Sequence, residues 1–484
     1  MLKRPNILMF MTDQQRADTC FGRAIMPNLA AFRRECASFT DVMCTAPHCC
    51  PSRTSMFSGL YPSQHGVWNN VDVGNAISRG MASNVRLWPE DLRDNGYKMF
   101  YSGKWHLSSE EGPDAFGFEL LYHPKRYTGV TDTKTSRLPR THEWDAYING
   151  ETCGEQDERR PGEIIRPGYP HYFLYGENSG NTGDENTVSA AVGQLEHLPQ
   201  EPWFVFCGPV GPHDPYFVPR EYLDMYDIRD ISLPDDYTDD MKDKPAFYRK
   251  TRAPFDQLTS DEVREGIRHY LAYCTYEDML FGRVLDALRK SGQYDDTIIL
   301  YCSDHGDYAG EHGLWAKGLP CFRSAYHVPL FIRVPGAEKP ITIDTPAMLT
   351  DIGPTLLDLC GIKCDRPMMG MSLRPWIEDQ AEKPAGREYR FTQTNGNEQY
   401  GIQRAIWGKD WKYVYNGFDY DELYDLKNDP DETKNLAADA RFRPVIKNLL
   451  RVMWQFVRDT DDTILNAYIL SAHAPFGPGI LFRN

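Results

Sequence analysis

Two continuous apolar runs, each followed by an acidic residue, constrain the fold of this chain most strongly. The run Asn6–Thr12 leads directly into Asp13, and the run Thr297–Cys302 leads after one serine into Asp304. Runs of this length and composition are typical of strands that are buried on both faces, as in parallel sheets. Because ligands bind beyond the carboxyl ends of such strands, we expect the two acids to converge at one sheet edge.

The rest of the first two thirds of the chain continues this pattern. Trp203–Cys207 and Val328–Val334 are further apolar runs, and Asp261–Ser291 carries apolar residues at three- and four-residue spacing, as an amphipathic helix does. Strands that alternate with helices predict an α/β fold with a largely parallel central sheet flanked by helices.

The end of the chain predicts a smaller C-terminal α+β subdomain with a short antiparallel sheet. Gln403–Tyr415 has aromatic and β-branched segments on both sides of a Gly-Lys-Asp turn, which indicates a hairpin, and a final helix is expected near Arg443–Val457. We expect a boundary near Asp365–Ser372, which divides the chain into residues 1–368 and 369–484. A chain of 484 residues can bury one large core and a smaller second one.

Charge and composition exclude several classes of partner. The formal net charge of -16 would repel polyanions, so we expect neither nucleic acid nor an anionic membrane as a partner. The apolar run at the N-terminus is too short for a signal peptide, and no later stretch is long enough to span a membrane. Twelve cysteines without regular spacing then predict reduced thiols and a cytoplasmic protein. A homo-oligomer is left open.

The pentapeptide CCPSR at positions 49–53 is the segment richest in chemistry. Pro51 suits the first turn of a helix, which places Cys49 just before a helix N-terminus, where free N–H groups and the helix dipole favour anions. Arg53 adds a positive charge one turn further on, so a thiol at position 49 would be acidified and reactive. The alternative is a buried cysteine pair beside a structural contact between Arg53 and a carboxylate.

This pentapeptide and its continuation SGLYPSQHG resemble the signature of the sulfatases, in which the first cysteine is oxidised to formylglycine. Cys49 is the matching position because it stands two residues before Pro51. The stretches PNILMFMTDQ, GKWHL, GPHDPY and SDHGDYAGEHGLWAKG extend the resemblance, and WKYVYNGFDYDELYDLKNDPDETKNLA is similar to the C-terminal subdomain of many sulfatases. The resemblance implies an alkaline phosphatase-like fold and a maturation enzyme that generates formylglycine.

The resemblance also implies a metal site, carried over position by position. Asp13, Asp304 and His305 match the family's metal ligands, together with the hydrated aldehyde at position 49. Gln14 stands where many relatives have a second aspartate, and its amide oxygen is a further candidate ligand. Mostly oxygen ligands suit one hard divalent cation, calcium first, whereas His305 also suits manganese or zinc.

Five further residues match positions that act on the substrate in the family. Arg53, Lys104 and Lys317 are expected to hold the sulfate oxygens while charge develops on the leaving oxygen. His213 is expected to protonate the leaving alcohol, and His106 to assist the hydrated aldehyde. One hydroxyl of the hydrate then attacks sulfur, and the other expels sulfate as the aldehyde reforms.

The function implied is hydrolysis of a sulfate ester, either a sulfated sugar or another small ester. The sugar interpretation comes from the polar stretch Tyr122–Glu185, which contains Trp144, Tyr147, His171 and Tyr172; a plain solvated loop is the alternative. The pairing of Asp-Gln with Asp-His resembles choline sulfatases and phosphonate monoester hydrolases, so hydrolysis of phosphonate monoesters or phosphodiesters is the second enzymatic hypothesis. A non-catalytic, metal-dependent carbohydrate-binding protein is the third hypothesis.

Overall fold

A computed structural model of the protein describes residues 4–124, 159–166, 169–178, 183–336, 339–397 and 399–466. The strands of these residues are β1 (Asn6–Thr12), β2 (Ala37–Phe39), β3 (Val42–Met43), β4 (Lys98–Gly103), β5 (Glu119–Tyr122), β6 (Glu163–Arg166), β7 (Tyr169–Phe173), β8 (Tyr175–Glu177), β9 (Trp203–Gly208), β10 (Tyr216–Val218), β11 (Thr297–Ser303), β12 (Leu330–Arg333), β13 (Ile341–Ile343), β14 (Ala347–Met348), β15 (Arg390–Gly396), β16 (Tyr400–Trp407), β17 (Trp411–Asn416) and β18 (Glu422–Asp425).

Helices lie between and around these strands. The α-helices of the described residues are α1 (Pro27–Phe32), α2 (Cys49–Ser58), α3 (Pro62–His65), α4 (Trp88–Asp94), α5 (Gly183–Leu195), α6 (Arg220–Leu223), α7 (Ala246–Arg252), α8 (Ser260–Lys290), α9 (Arg323–Tyr326), α10 (Ile352–Leu359), α11 (Arg374–Ile377) and α12 (Arg443–Asp459). The long predicted helix is α8. It begins with a capping box, in which Thr259 accepts a hydrogen bond from the Glu262 amide and Glu262 accepts one from the Thr259 amide.

An eight-stranded sheet in the order β13-β2-β12-β11-β1-β9-β4-β5 forms the centre of the molecule. Its strands from β11 to β5 pair in parallel, whereas β12 runs antiparallel to both β11 and β2. The predicted α/β fold with a largely parallel sheet is confirmed. The apolar run Val328–Val334 does form a strand, but that strand is antiparallel, because a continuous apolar run indicates burial on both faces and carries no information about direction.

The strands of this sheet send alternate side chains into two cores. On β1, Met9 and Met11 join a cluster that includes Phe57 of α2, whereas Leu8 and Phe10 face α8 on the other side. Every residue of β1 and β11 is buried. Burial on both faces explains why these strands have no polar alternation and why their polar residues are at the ends.

The C-terminal part contains a second, separate sheet. Strands β15 to β18 form an antiparallel meander, and α12 covers one face of it through Leu450 and Trp454, which pack against Ile406 and Tyr413. The predicted hairpin is the pair β16 and β17. This arrangement agrees with the predicted small α+β subdomain, and the boundary between residues 368 and 369 stays a prediction.

Among the described residues, none of the helices combines the length and the apolar character that crossing a membrane requires. Part of the predicted polar excursion Tyr122–Glu185 is described, as β6, β7, β8 and the start of α5. Trp144 and Tyr147 lie outside the described residues, and so does the side chain of His171.

The register of the central strands places the chemistry at one edge. Thr12 of β1 is opposite Ser303 of β11, so Asp13 and Asp304 leave the sheet side by side. On the other side of β1, Gly103 of β4 is opposite Gly208 of β9. Gly103 has a φ of +111°, and a Cβ there would lie 2.0 Å from the Gly208 carbonyl oxygen, so the two strands approach as closely as only glycine allows.

We expect Gly103→Ala to lower the thermal unfolding midpoint far more than Gly96→Ala does. Both glycines have a positive φ, but a Cβ at Gly96 would meet nothing within 4 Å. The control therefore loses about 1–2 kcal/mol from backbone strain alone, whereas Gly103→Ala adds an overpacking cost of about 1–3 kcal/mol. Equal midpoints for the two variants would contradict the close approach of β4 and β9.

Candidate active site

The predicted metal ligands meet beyond the carboxyl ends of β1 and β11. Asp13 follows β1, Asp304 and His305 follow β11, and Cys49 is the first residue of α2. One possible ligand atom from each of these four buried residues lies within 4.8 Å of the other three. Two strand ends and a helix N-terminus thus bring together residues that are far apart in the sequence.

Arg53 lies between the two acids of this cluster and donates a hydrogen bond to one oxygen of each. Its Nη2 donates to Asp13 Oδ2 at 2.9 Å and its Nε donates to Asp304 Oδ2 at 2.7 Å. The remaining oxygens face His305, whose Nε2 lies 3.7 Å from Asp13 Oδ1 and 3.8 Å from Asp304 Oδ1. Asp304 Oδ1 also accepts from the backbone amides of Gln14 and His305, so Asp13 Oδ1 is the more open of these two oxygens to a cation, while Oδ2 of each acid is held by a buried guanidinium.

The charges around Asp13 keep it ionised. Burial and the neighbouring Cys49 raise its pKa, but Lys104 and Arg53 outweigh them, so the pKa of Asp13 lies below its ordinary value. Lys104 Nζ donates to Asp13 Oδ2 at 2.6 Å. An ionised carboxylate is the form that binds a hard cation, so the site is ready for one at neutral pH.

His305 is held in the tautomer that a metal ligand needs. Its Nδ1 lies 2.9 Å from the Gly306 carbonyl oxygen, which can only accept, so Nδ1 carries the proton. The lone pair of Nε2 is then directed into the cluster, where it lies 3.2 Å from Cys49 Sγ. The set of two carboxylates and one neutral imidazole fits a divalent cation.

Gln14 is oriented by two acids that the sequence analysis did not select. Its Nε2 donates to Asp307 Oδ2 at 2.5 Å and to Asp214 Oδ1 at 3.1 Å, while its Oε1 accepts from Lys317 Nζ. Tyr216 donates in turn to Asp307 Oδ2 at 2.6 Å. Because carboxylates only accept, they fix which end of the amide is which, and the amide oxygen faces the lysine side of the site.

Asp214 and Asp307 belong to the same motifs as predicted site residues, GPHDPY and SDHGDY. Their position within those motifs is the sequence feature from which they could have been predicted as site residues. Neither stands directly at a strand end, which is the feature that singled out Asp13 and Asp304.

The environment of Cys49 favours negative charge. Burial raises the pKa of its thiol, but Lys104, Lys317 and His305 lower it, and the net pKa lies well below its ordinary value. Cys49 opens α2, one position further into the helix than predicted, with His48 as the N-cap residue. An oxygen-bearing group at position 49, or an anion beside it, would therefore meet the positive charges of the two lysines and the positive end of the α2 dipole.

His213 and Lys317 form the more exposed side of the site. Lys317 Nζ lies 2.5 Å from His213 Nε2 and 3.8 Å from Asp214 Oδ1. The Nδ1 of His213 lies 2.5 Å from the Asp214 carbonyl oxygen, which leaves Nε2 as the nitrogen that can exchange a proton with a bound molecule. The His213 side chain keeps 24% of its surface exposed, whereas Asp13, Arg53 and Asp304 keep none.

The structure thus brings every predicted site residue to one edge of the central sheet. The contacts described above join most of these residues, and Lys104, Lys317 and His106 also lie close enough to Cys49 to lower the pKa of its thiol. The full set is Asp13, Gln14, Cys49, Arg53, Lys104, His106, His213, Asp304, His305 and Lys317.

Comparison with solved structures defines the class of fold. The phosphonate monoester hydrolase of Agrobacterium radiobacter superimposes with a TM-score of 0.75 at 21% identity, over 94% of this chain and 96% of the other. A protein solved with its substrate D-glucosamine-2-N,6-O-disulfate superimposes with a TM-score of 0.71 at 21% identity, over 95% and 99%. At these identities the likeness shows the fold alone, which is alkaline phosphatase-like.

Comparison of sequences then gives the family. The sulfatase family model matches residues 5–362, and the model of the N-sulphoglucosamine sulphohydrolase C-terminal region matches residues 310–459. A choline-sulfatase of Rhizobium meliloti (strain 1021) is 31% identical over 470 residues, which cover 90% of this chain and 83% of the relative. An N-acetylglucosamine-6-O-sulfatase of Bacteroides thetaiotaomicron is 25% identical over 504 residues, covering 93% and 86%. The chain belongs to the sulfatase family and is a sulfuric ester hydrolase.

Asp304→Asn should abolish the stabilisation that a divalent cation gives to the protein. With free calcium or manganese at about 100 times its dissociation constant, the wild type should gain about 2.7 kcal/mol in unfolding free energy. The measurement is the unfolding midpoint with and without cation, so a lower starting stability of the variant does not affect the comparison.

Asp278→Asn is the matched control for this experiment, because Asp278 is a buried carboxylate of α8 that accepts from the Asn28 and Leu29 amides outside the cluster. It should keep the full cation-dependent shift. A shift that persists in Asp304→Asn would place the cation elsewhere.

Proposed function

We propose that the protein hydrolyses sulfate esters of small sugar-like substrates, with residue 49 matured to formylglycine and one divalent cation held by Asp13, Asp304 and His305. The observation that carries the proposal is the geometry of the cluster, in which residue 49 supplies one of four converging ligand atoms. Calcium is the first candidate because the acids offer hard oxygens, and manganese or zinc would also accept the imidazole. Gln14 is a candidate ligand through its amide oxygen.

When matured and loaded, the site would supply a hydrated aldehyde, with one hydroxyl to attack sulfur and one to expel sulfate, and a cation to polarise the sulfate oxygens. The side chains of the site would hold the cation and set the electrostatic potential around residue 49. With a divalent cation bound, the ion and the side chains of Arg53, Lys104 and Lys317 would outweigh the carboxylates of Asp13, Asp214, Asp304 and Asp307, so an anionic ester would meet a positive site in spite of the acidic net charge of the whole chain.

The cationic residues differ in how they would act. Arg53 is fully buried and its guanidinium donates to Asp13, Asp304 and the Lys104 carbonyl oxygen, so we assign it to fixing the metal ligands. Lys317 lies beside the partly exposed His213, away from the buried contacts of Arg53, and we assign it to the sulfate oxygens. Lys104 contacts Asp13 and lowers the pKa of Cys49, which places its charge next to residue 49.

His213 is the proposed general acid and His106 the proposed proton acceptor. The Nε2 of His213 lies 2.5 Å from Lys317 Nζ, and the His213 side chain is 24% exposed, so a leaving alcohol can reach this imidazole. His106 contributes to the low pKa of Cys49 and therefore lies beside residue 49. Imidazoles on two sides of one reacting centre suit an acid and a base that act in different half-reactions.

A sulfated sugar is supported by three observations. The Bacteroides relative is named for a sulfated sugar, and one solved neighbour holds glucosamine disulfate as its substrate. In this chain, Tyr172 of the polar excursion donates to Asp214 Oδ2 at 3.0 Å, so the excursion supplies an aromatic hydroxyl next to the site. Aromatic rings with hydrogen-bonding groups suit sugar rings.

The second hypothesis, hydrolysis of phosphonate monoesters or phosphodiesters, uses the same centre. The likeness to phosphonate monoester hydrolases supports the fold alone, and the sequence relatives are named sulfatases. The third hypothesis, a non-catalytic carbohydrate-binding protein, does not explain why acids, imidazoles and lysines surround residue 49.

A formylglycine-generating maturation enzyme is part of the proposal. Cys49 retains 1% of its surface, and every residue of α2 is buried. An enzyme that oxidises this thiol must therefore reach it before α2 packs against the sheet.

Relative turnover of matched esters tests the proposed function. Protein with the aldehyde at position 49 verified by mass spectrometry should hydrolyse an aryl sulfate and sulfated monosaccharides faster than the matching phosphodiester and phosphonate monoester. A clear preference for the phosphorus esters would favour the second hypothesis. Binding of saccharides without any turnover would favour the third.

Substitution of His213 tests its role as general acid. His213→Ala should slow the hydrolysis of a sulfate ester with a poor leaving alcohol by about 10²–10⁴-fold, because that alcohol needs a proton as it leaves. Esters of acidic phenols should be slowed much less. His197→Ala, which removes an imidazole that contacts the Gly193 carbonyl oxygen away from the site, is the control. A loss of equal size for all leaving groups would contradict the role.

A further inference from the structure

We propose that Asp72 is a positioning residue that holds the His106 ring against residue 49. The proposal rests on the proposed function, since it assigns a partner to the imidazole that acts on residue 49. Asp72 follows neither a strand end nor a recognised motif, and its effect is exerted through His106 and not through contact with the substrate.

The contact between the two side chains is direct. Asp72 Oδ1 lies 3.0 Å from His106 Nε2. The hydrogen bond from His106 lowers the pKa of Asp72 to about 2, so the carboxylate is ionised at neutral pH. A carboxylate can only accept, so it fixes the proton on Nε2 and selects the tautomer of the ring.

The second ring nitrogen is thereby left for residue 49. His106 Nδ1 is buried and has no hydrogen-bond partner among the described residues. Of the two nitrogens, Nδ1 is the one that Asp72 does not occupy, and His106 adjoins Cys49 closely enough to lower the pKa of its thiol. Asp72 therefore holds Nε2, and Nδ1 is the nitrogen left to exchange a proton with residue 49.

Hydrogen bonds on both sides of Asp72 fix the loop that carries it. Arg79 Nη1 donates to the carbonyl oxygens of Val71 and Val73, on both sides of Asp72, at 2.8 and 2.9 Å. Asn70 Oδ1 accepts from the Cys50 amide at 3.2 Å, which ties the same loop to the start of α2. Asp72 is therefore fixed relative to residue 49 from two directions.

The backbone of His106 supports the same conclusion. Its φ is +63°, in the left-handed region that a non-glycine residue adopts only at an energetic cost. This backbone conformation directs the His106 side chain toward Asp72, and the contact between the two side chains holds the ring in one rotamer.

The same residues also allow a second interpretation, in which they bind a metal ion. Cys50, Asp72 and His106 each offer an atom within 4.8 Å of the others, a spacing that could also hold a metal ion. Asp72 Oδ1 and His106 Nε2 already contact each other directly, and the Val71 amide donates to Cys50 Sγ at 3.4 Å. Metal content of the variants decides between the two interpretations.

The variants Asp72→Ala, Asp72→Asn and Asp72→Glu test the proposal in the matured enzyme. With an aryl sulfate, Asp72→Ala should lower kcat by about 10- to 100-fold, as is usual for a residue that orients an active-site imidazole. KM should stay unchanged because Asp72 does not contact the substrate. Asp72→Glu should recover part of kcat, since it restores an ionised acceptor, and Asp72→Asn should lie between the alanine and glutamate variants.

Asp94→Ala is the matched control. Its side chain is 45% exposed and paired with Arg86, against 48% exposure for Asp72, so it removes an equally exposed carboxylate elsewhere. It should leave kcat and KM unchanged. An unchanged kcat in Asp72→Ala, a change in KM alone, or the loss of one bound metal ion per chain would overturn the proposal.

A second readout does not depend on turnover. In unmatured protein labelled with ¹⁵N-histidine, His106 should show a protonated Nε2 in the wild type and in Asp94→Ala, and a mixture of tautomers in Asp72→Ala. An unchanged His106 spectrum in Asp72→Ala would refute the positioning role. If the matured wild type fails to hydrolyse any sulfate ester, the proposed function fails while this spectrum still decides the role of Asp72.

Discussion

The structure depends on one buried interaction, the contact of Arg53 with both Asp13 and Asp304. Two carboxylates at adjacent, fully buried strand ends would repel each other, and the guanidinium between them offsets that repulsion by donating to one oxygen of each. The same contact turns their other oxygens toward His305 and residue 49. Stability of the sheet edge and affinity for a cation therefore have the same origin, and Arg53 serves both without being exposed.

Around this centre, the strands fix where the site residues lie, and the loops orient their functional groups. The parallel strands fix where Asp13, Lys104 and Asp304 leave the sheet, because paired strands end in register. Side chains from loops then orient the working groups, as Asp307 and Asp214 do for Gln14. The strands set the positions of these residues, and the loops select which atom of each amide or imidazole faces the reacting centre.

The sequence was sufficient for the central strands and for the residues that follow them. A buried apolar run ending in an acid is a local pattern, so Asn6–Thr12 with Asp13 could be recognised directly, and the long helix followed from its spacing. The antiparallel direction of β12 could not be predicted, because direction depends on how the chain crosses the sheet. Asp72 and Asp307 were also missed, since an aspartate in a loop has no pattern of its own until the fold shows which imidazole or amide it contacts.

Residue 49, matured and placed against the cation, is the proposed reacting group. The most direct test prepares protein batches with different degrees of oxidation at Cys49 and measures the aldehyde fraction by mass spectrometry and the turnover of one aryl sulfate in each. We predict that turnover rises in proportion to the aldehyde fraction and extrapolates to zero in its absence. Turnover that is independent of that fraction, or that persists in Cys49→Ala, would contradict the central claim.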